Sequence, residues 1–197
     1  MKYLFILIAL ATTLASPGQT PPLTSSPRDL VVDSRDNVYV LVKYGLIKIT
    51  PDGTLTDLRK IKGNEALDIT MYNLVIDSKD NLFVGQGNVI KKIRVSEDNK
   101  VTFENYAGDM YKYRIADGEL KQALFTGISR MAIDKDDNLY VTDSYDKLRE
   151  QVGSNFVTDP WYGKDKKLKY IKSFNLIRKI SPDGQVTTLK NAEGMYI

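Results

Sequence analysis

The chain has 197 residues, of which 42% are hydrophobic and 27% charged, the composition of one globular domain with a sizeable core. Its formal net charge of +3 does not mark it as a general polyanion binder. It has no Cys and no His, which excludes disulfides, lipid attachment through Cys and a thiol nucleophile, and removes the commonest general base and zinc ligand.

Residues 1–15, MKYLFILIALATTLA, combine a basic start, an apolar run from Leu4 to Ala11 and a small-residue site at Thr13-Leu14-Ala15. This is the pattern of a cleaved signal peptide, so the chain is expected to be secreted or periplasmic. An uncleaved anchor needs about 20 apolar residues to cross a bilayer, and the run is too short for that. No later stretch is long and apolar enough to span a membrane. Residues 16–27, SPGQTPPLTSSP, form a Pro/Ser/Thr-rich flexible leader.

From Arg28 onward a pattern occurs three times: Leu30–Val42, Leu74–Gln86 and Met131–Asp143. Each copy has a short apolar strand, an Asp (Asp33, Asp77, Asp134), an Asn four residues later (Asn37, Asn81, Asn138) and a second strand carrying an aromatic (Tyr39, Phe83, Tyr140). The Asp-to-Asn stretch is a turn, since both residue types bond their own backbone and tolerate left-handed conformations. In the first unit two more strands follow, Leu46–Thr50 and Thr54–Leu58, around the turn Pro51-Asp52-Gly53. The second unit repeats this with Val89–Val95, the turn Ser96–Asn99 and Lys100–Phe103, Asn99 taking the place of the Gly at positive φ. The third has Leu176–Ile180, the turn Ser181–Gly184 and Val186–Leu189. Asp33 and Asp77 are 44 residues apart, a period typical of a propeller or an array. Asp77 and Asp134 are 57 apart, so extra sequence separates the second and third units. A further insertion, 144–174, lies inside the third. No segment has the periodicity of a long amphipathic helix.

These residues carry a family resemblance. Ala107-Gly108, Asp117-Gly118, Ala123, Phe125, Asp134, Asn138-Leu139-Tyr140-Val141, Asp143, Ile177-Arg178-Lys179-Ile180, Asp183-Gly184 and Val186–Leu189 together resemble an NHL repeat. The first two units match more weakly. Departures are Arg130, the Asp residues at 36, 80 and 137 where the family has a hairpin Gly, and the insertion. The resemblance implies an all-β fold: an NHL-type β-propeller segment over 28–197, with about three four-stranded blades at 28–60, 71–108 and 127–194. Propellers of this type have about six blades, which leaves three arrangements open: a truncated product, a homodimer completing a six-bladed ring, or an open arc.

Two sequence features carry the functional expectations. The insertion holds the lone Trp, in Asp159-Pro160-Trp161-Tyr162-Gly163, and the cations Lys164, Lys166 and Lys167. Between Lys147 and Lys179 there are nine Lys/Arg against three acidic residues, a local +6 that leaves about −3 for the rest of the chain. Such a loop either binds an anionic, protein or carbohydrate ligand, or is an extended hairpin with solvated lysines. An exported chain does not meet RNA, so nucleic acid is not an expected partner. Asp143 is the second feature. In lactonase-like propellers, which resemble this chain, an Asp at such a strand end binds a divalent metal, and oxygen ligands suit Ca²⁺. Asp117-Gly118 and Phe125 are read as a turn and a packing anchor. The leading expectation is a non-enzymatic binding scaffold without cofactor. The alternative is a metal-dependent gluconolactonase-like hydrolase, or a truncated remnant of one.

Overall fold

The computed structural model describes residues 26–64, 73–145 and 174–195. The expected signal peptide at 1–15, nearly all of the expected leader at 16–27 and residues 146–173 of the insertion lie outside the described residues. Within them the fold is all-β, with one 3-10 turn at Leu58–Lys60. Among the described residues no helix is long and apolar enough to cross a membrane.

Among the described residues the strands form three antiparallel sheets. The first contains β1 (Pro27–Val32), β2 (Val38–Val42), β3 (Gly45–Ile49) and β4 (Leu55–Asp57) in chain order. The second contains β5 (Leu74–Ile76), β6 (Leu82–Gln86), β7 (Val89–Val95) and β8 (Val101–Gly108), again in chain order. The third is assembled from β9 (Gly118–Glu119), β10 (Ile128–Ile133), β11 (Leu139–Tyr145), β12 (Phe174–Ile180) and β13 (Gln185–Thr188), with β9 on the outside, beside β13. Successive small sheets of this kind, each packed face to face on the next, make a β-propeller-like fold.

Two turn designs recur, and both follow from residue type. At the first hairpin of each sheet, one oxygen of Asp33 accepts from the backbone N–H groups of Arg35 (2.9 Å) and Asn37 (2.8 Å), and the other from the Asn37 side chain (2.8 Å). Asp77 and Asp134 repeat this with Asn81 and Asn138. The turn closes through Asp36, Asp80 and Asp137 at φ 61°, 60° and 61°, a region Asp tolerates better than most side chains. At the second hairpin the hydroxyls of Thr50, Ser96 and Ser181 donate to Asp52, Asp98 and Asp183. The next residue is left-handed each time: Gly53 (φ 86°), Asn99 (φ 63°) and Gly184 (φ 89°).

The same turns latch one sheet to the next. Ser34 donates its backbone N–H (2.8 Å) and its hydroxyl (2.6 Å) to the two oxygens of Asp80. Ser78 does the same to Asp137, at 2.8 and 2.6 Å. Hydrogen bonding to Ser78 holds the Asp137 carboxyl below its ordinary range.

Between the latches lie two apolar joints. Tyr39, Leu41 and Leu46 pack with Leu74, Leu82, Val84 and Ile93 in the first. Phe83 and Ile90 pack with Leu139, Val141, Ile180 and Val186 in the second. Every residue of β2 is buried, because alternate side chains enter different clusters. Full burial of one such side chain contributes about 1.5–3 kcal/mol, so these joints dominate the stability.

The segment 109–127 connects the second sheet to the third and departs from the sequence reading. Gly118 (φ 133°) does not simply turn; it starts β9 and pairs with Val186, adding a fifth strand. The pairing holds because Asp117 accepts from the backbone N–H (2.9 Å) and hydroxyl (2.8 Å) of Thr188, and Leu120 donates to Gly184 (3.0 Å). The segment then turns inward and delivers Phe125, fully buried, into the second joint.

Candidate functional site

The end of the third sheet where β11 stops and β10 starts carries the residue that the sequence singled out. Asp143 pairs with Ile128 on one side and Leu176 on the other. It is fully buried. Its Oδ1 accepts from the Thr126 (2.9 Å) and Gly127 (2.8 Å) backbone N–H groups and lies 3.1 Å from the Thr126 hydroxyl, whose single proton it shares with the Ser144 carbonyl. Its Oδ2 accepts from Arg178 Nη1 at 3.1 Å. Ser144 extends the same staple, its backbone N–H donating to Gly127 (2.8 Å) while its carbonyl accepts from the Thr126 hydroxyl (2.7 Å).

Arg178 is the buried partner of Asp143, and the sequence reading did not single it out. It was counted with the insertion's cations, but it is completely buried. Nη1 donates to Leu124 O (3.1 Å) and Asp143; Nη2 donates to Ala116 O (2.8 Å) and Asp117 (2.8 Å). Its guanidinium lies 4.8 Å from the centre of the Phe125 ring. Nε has no partner among the described residues. The available signal was the period of β12: Leu176, Arg178 and Ile180 alternate inward. Arg178 thus joins Asp117 of the connecting segment to Asp143 of the sheet. A cation placed at Asp143 would face this guanidinium, and among the described residues no group of three or more Asp, Glu, His or Cys could hold a metal ion.

The network also fixes the base of the insertion. Ser144 pairs with Asn175 and Tyr145 with Phe174, so the chain leaves the sheet and returns to it at one point. Trp161, Tyr162, Lys164, Lys166 and Lys167 lie outside the described residues.

A second feature lies at the turn end of the joint between the second and third sheets. A cleft of about 220 Å³ is lined by Asp77, Phe83, Lys92, Tyr106, Asp137 and Asp183, among others. Phe83 and Tyr106 meet edge to face, 4.9 Å between centroids. Burial first, and the Asp77 carboxylate second, push the Tyr106 hydroxyl above its ordinary range.

Comparison with known proteins bears on the fold. No protein-family model matches the sequence, and no curated protein matches it. Among solved structures, a structural-genomics protein from Bacteroides thetaiotaomicron is similar with TM-score 0.52 at 16% identity, over 81% of this chain and 34% of that one. An auxiliary nutrient binding protein from Bacteroides ovatus is similar with TM-score 0.51 at 15% identity, over 82% of this chain and 35% of that one. Another auxiliary nutrient binding protein, from Bacteroides thetaiotaomicron, gives 0.51 at 12%, over 85% and 37%. The chain thus spans about a third of the length of these structures, and at such identities the likeness concerns the fold, which is β-propeller-like.

Proposed function

We propose that this chain is an exported NHL-type propeller segment that acts as a non-enzymatic binding scaffold. Its ligand-binding element is the insertion 144–174. There Trp161 and Tyr162 provide stacking faces, and Lys164, Lys166 and Lys167 attract an anionic protein or carbohydrate. The observation that carries this reading is the commitment of Asp143: both carboxylate oxygens accept hydrogen bonds from within the third sheet and its connecting segment. That arrangement makes the insertion's base rigid, which suits a loop displayed for recognition. The similarity to auxiliary nutrient binding proteins supports a binding role at the level of fold. A metal-dependent lactonase-like hydrolase is the second reading, and it needs Asp143 as a ligand.

Calorimetric titration with a sulfated oligosaccharide, as a generic anionic glycan, tests the first reading. The triple variant Lys164→Glu, Lys166→Glu, Lys167→Glu is expected to weaken binding at least about tenfold, and added salt to weaken the parent chain. Trp161→Ala is expected to lower affinity with little change in salt dependence. Unaltered binding in both variants would remove the insertion as the ligand element.

A further inference from the structure

The two joints between sheets are built on one plan, and they differ at one position. In the first joint Tyr39 and Lys48 are cross-strand neighbours; in the second, Phe83 and Lys92 are. Lys48 Nζ crosses the first joint and donates to Asn99 Oδ1 at 3.3 Å. Asn99 is the left-handed residue of the second sheet's outer turn. The residue at that place in the third sheet is Gly184, which has no side chain to offer Lys92. Among the described residues the Lys92 ammonium has no polar partner; it lies over the rings of Phe83 (5.6 Å) and Tyr106 (6.0 Å). Missing side chain and unpartnered cation coincide with the cleft, whose lining includes both Lys92 and Gly184.

The chemistry of the walls selects the ligand. The carboxylates of Asp77, Asp137 and Asp183 and the ammonium groups of Lys79 and Lys92 sum to −1, which disfavours a small anion. The carboxylates offer acceptors, Lys92 offers donors, and Tyr106, half-buried, gives an apolar wall. A neutral molecule with several hydroxyls can donate to the first and accept from the second at once. The cleft, about 220 Å³, has the size of one sugar ring. We infer that this cleft is a binding site for a neutral, hydroxyl-rich ligand of monosaccharide size, with Lys92 and the Asp137 and Asp183 carboxylates as its polar contacts. It lies at the turn end of the sheets, Asp143 does not line it, and it is argued from no residue of the insertion, so it stands independently of the proposed role of the insertion.

The site can be closed by copying the first joint. Gly184→Asn writes the Asn99 solution into the third sheet. Asn tolerates the left-handed backbone better than most residues, and the new Cβ meets Leu120 Cδ1 at 3.2 Å and Cγ at 3.3 Å, so Leu120 must give by a few tenths of an ångström. Lys92→Met keeps the aliphatic stem over the two rings and removes the ammonium. Saturation-transfer NMR of the chain with glucose, galactose and mannose is expected to show millimolar or tighter binding of at least one hexose. Both variants should weaken it at least tenfold while Gly184→Asn still unfolds cooperatively with only a modestly lowered urea midpoint, and Lys164→Glu, Lys166→Glu, Lys167→Glu leaves it intact. No binding of any of the three hexoses, or binding that survives both cleft variants, would overturn the inference.

Discussion

Asp143→Val is expected to destabilise the chain by about 3–5 kcal/mol, because it leaves Arg178 buried without its buried carboxylate and orphans the N–H groups of Thr126 and Gly127. In a chain of this length that is a fall in Tm of roughly 6–20 °C. Arg178→Ile should cost a similar amount for the converse reason: it removes the cation from a carboxylate whose exposure is 0%, leaving its charge to the hydrogen bonds of Thr126 and Gly127 alone. The first sheet shows what the pair can be exchanged for. By strand register, Asp143 and Arg178 occupy the places of Val42 and Ile47 there, both buried. The double variant Asp143→Val, Arg178→Ile is therefore expected to cost less than the sum of the single changes, with a coupling of about 1.5–3 kcal/mol. Thermal or urea unfolding of the four proteins reads this directly. Strictly additive costs would mean that the two residues do not act as a pair.

Gly108→Ala is expected to be strongly destabilising, because the added methyl meets backbone rather than a flexible side chain. Gly108 ends β8 at φ 89°, and a Cβ there would lie 2.2 Å from the backbone oxygen of Asn88 and 3.2 Å from Phe125 Cδ2. A backbone oxygen cannot rotate away, so strand β8, the β6–β7 turn or Phe125 must move. The left-handed strain and the clash together are expected to cost about 3 kcal/mol or more. Gly53→Ala is the matched control: φ is 86°, and nothing lies within 4 Å of the added carbon. That change should cost only the conformational part, about 1 kcal/mol. Unfolding midpoints of the two variants separate strain from contact. Equal costs would show that the close approach at Gly108 contributes nothing.

The architecture was legible because its signals are local. Short apolar runs mark β2 and β6, apolar residues alternating with Lys or Arg mark β3 and β7, and the Asp-to-Asn and Pro-Asp-Gly stretches mark turns between strands. Even the substitution of Asn99 for Gly was readable as a left-handed residue, and it sits at φ 63°. The site was less legible, for reasons that are equally physical. Arg178 looks like one more cation in a basic run until β12 is placed, and then Leu176 and Ile180 show that its position faces inward. Its partners Asp117 and Asp143 meet it only because the connecting segment folds back along the third sheet as β9, a strand too short to have a pattern. The cleft at Lys92 depends on comparing Asn99 with Gly184 across two joints, and that comparison requires the register of four strands.

The Asp143 carboxylate is committed to Arg178 and the 126–127 backbone, which is why we propose the insertion rather than Asp143 as the recognition element. Thermal unfolding of the chain with increasing Ca²⁺ and Mn²⁺ tests it most directly, since a ligand at 100 times its Kd stabilises by about 2.7 kcal/mol. No rise in Tm that depends on Asp143 is expected. A rise of several degrees in the parent chain that disappears in Asp143→Asn would contradict it and place a metal at that carboxylate.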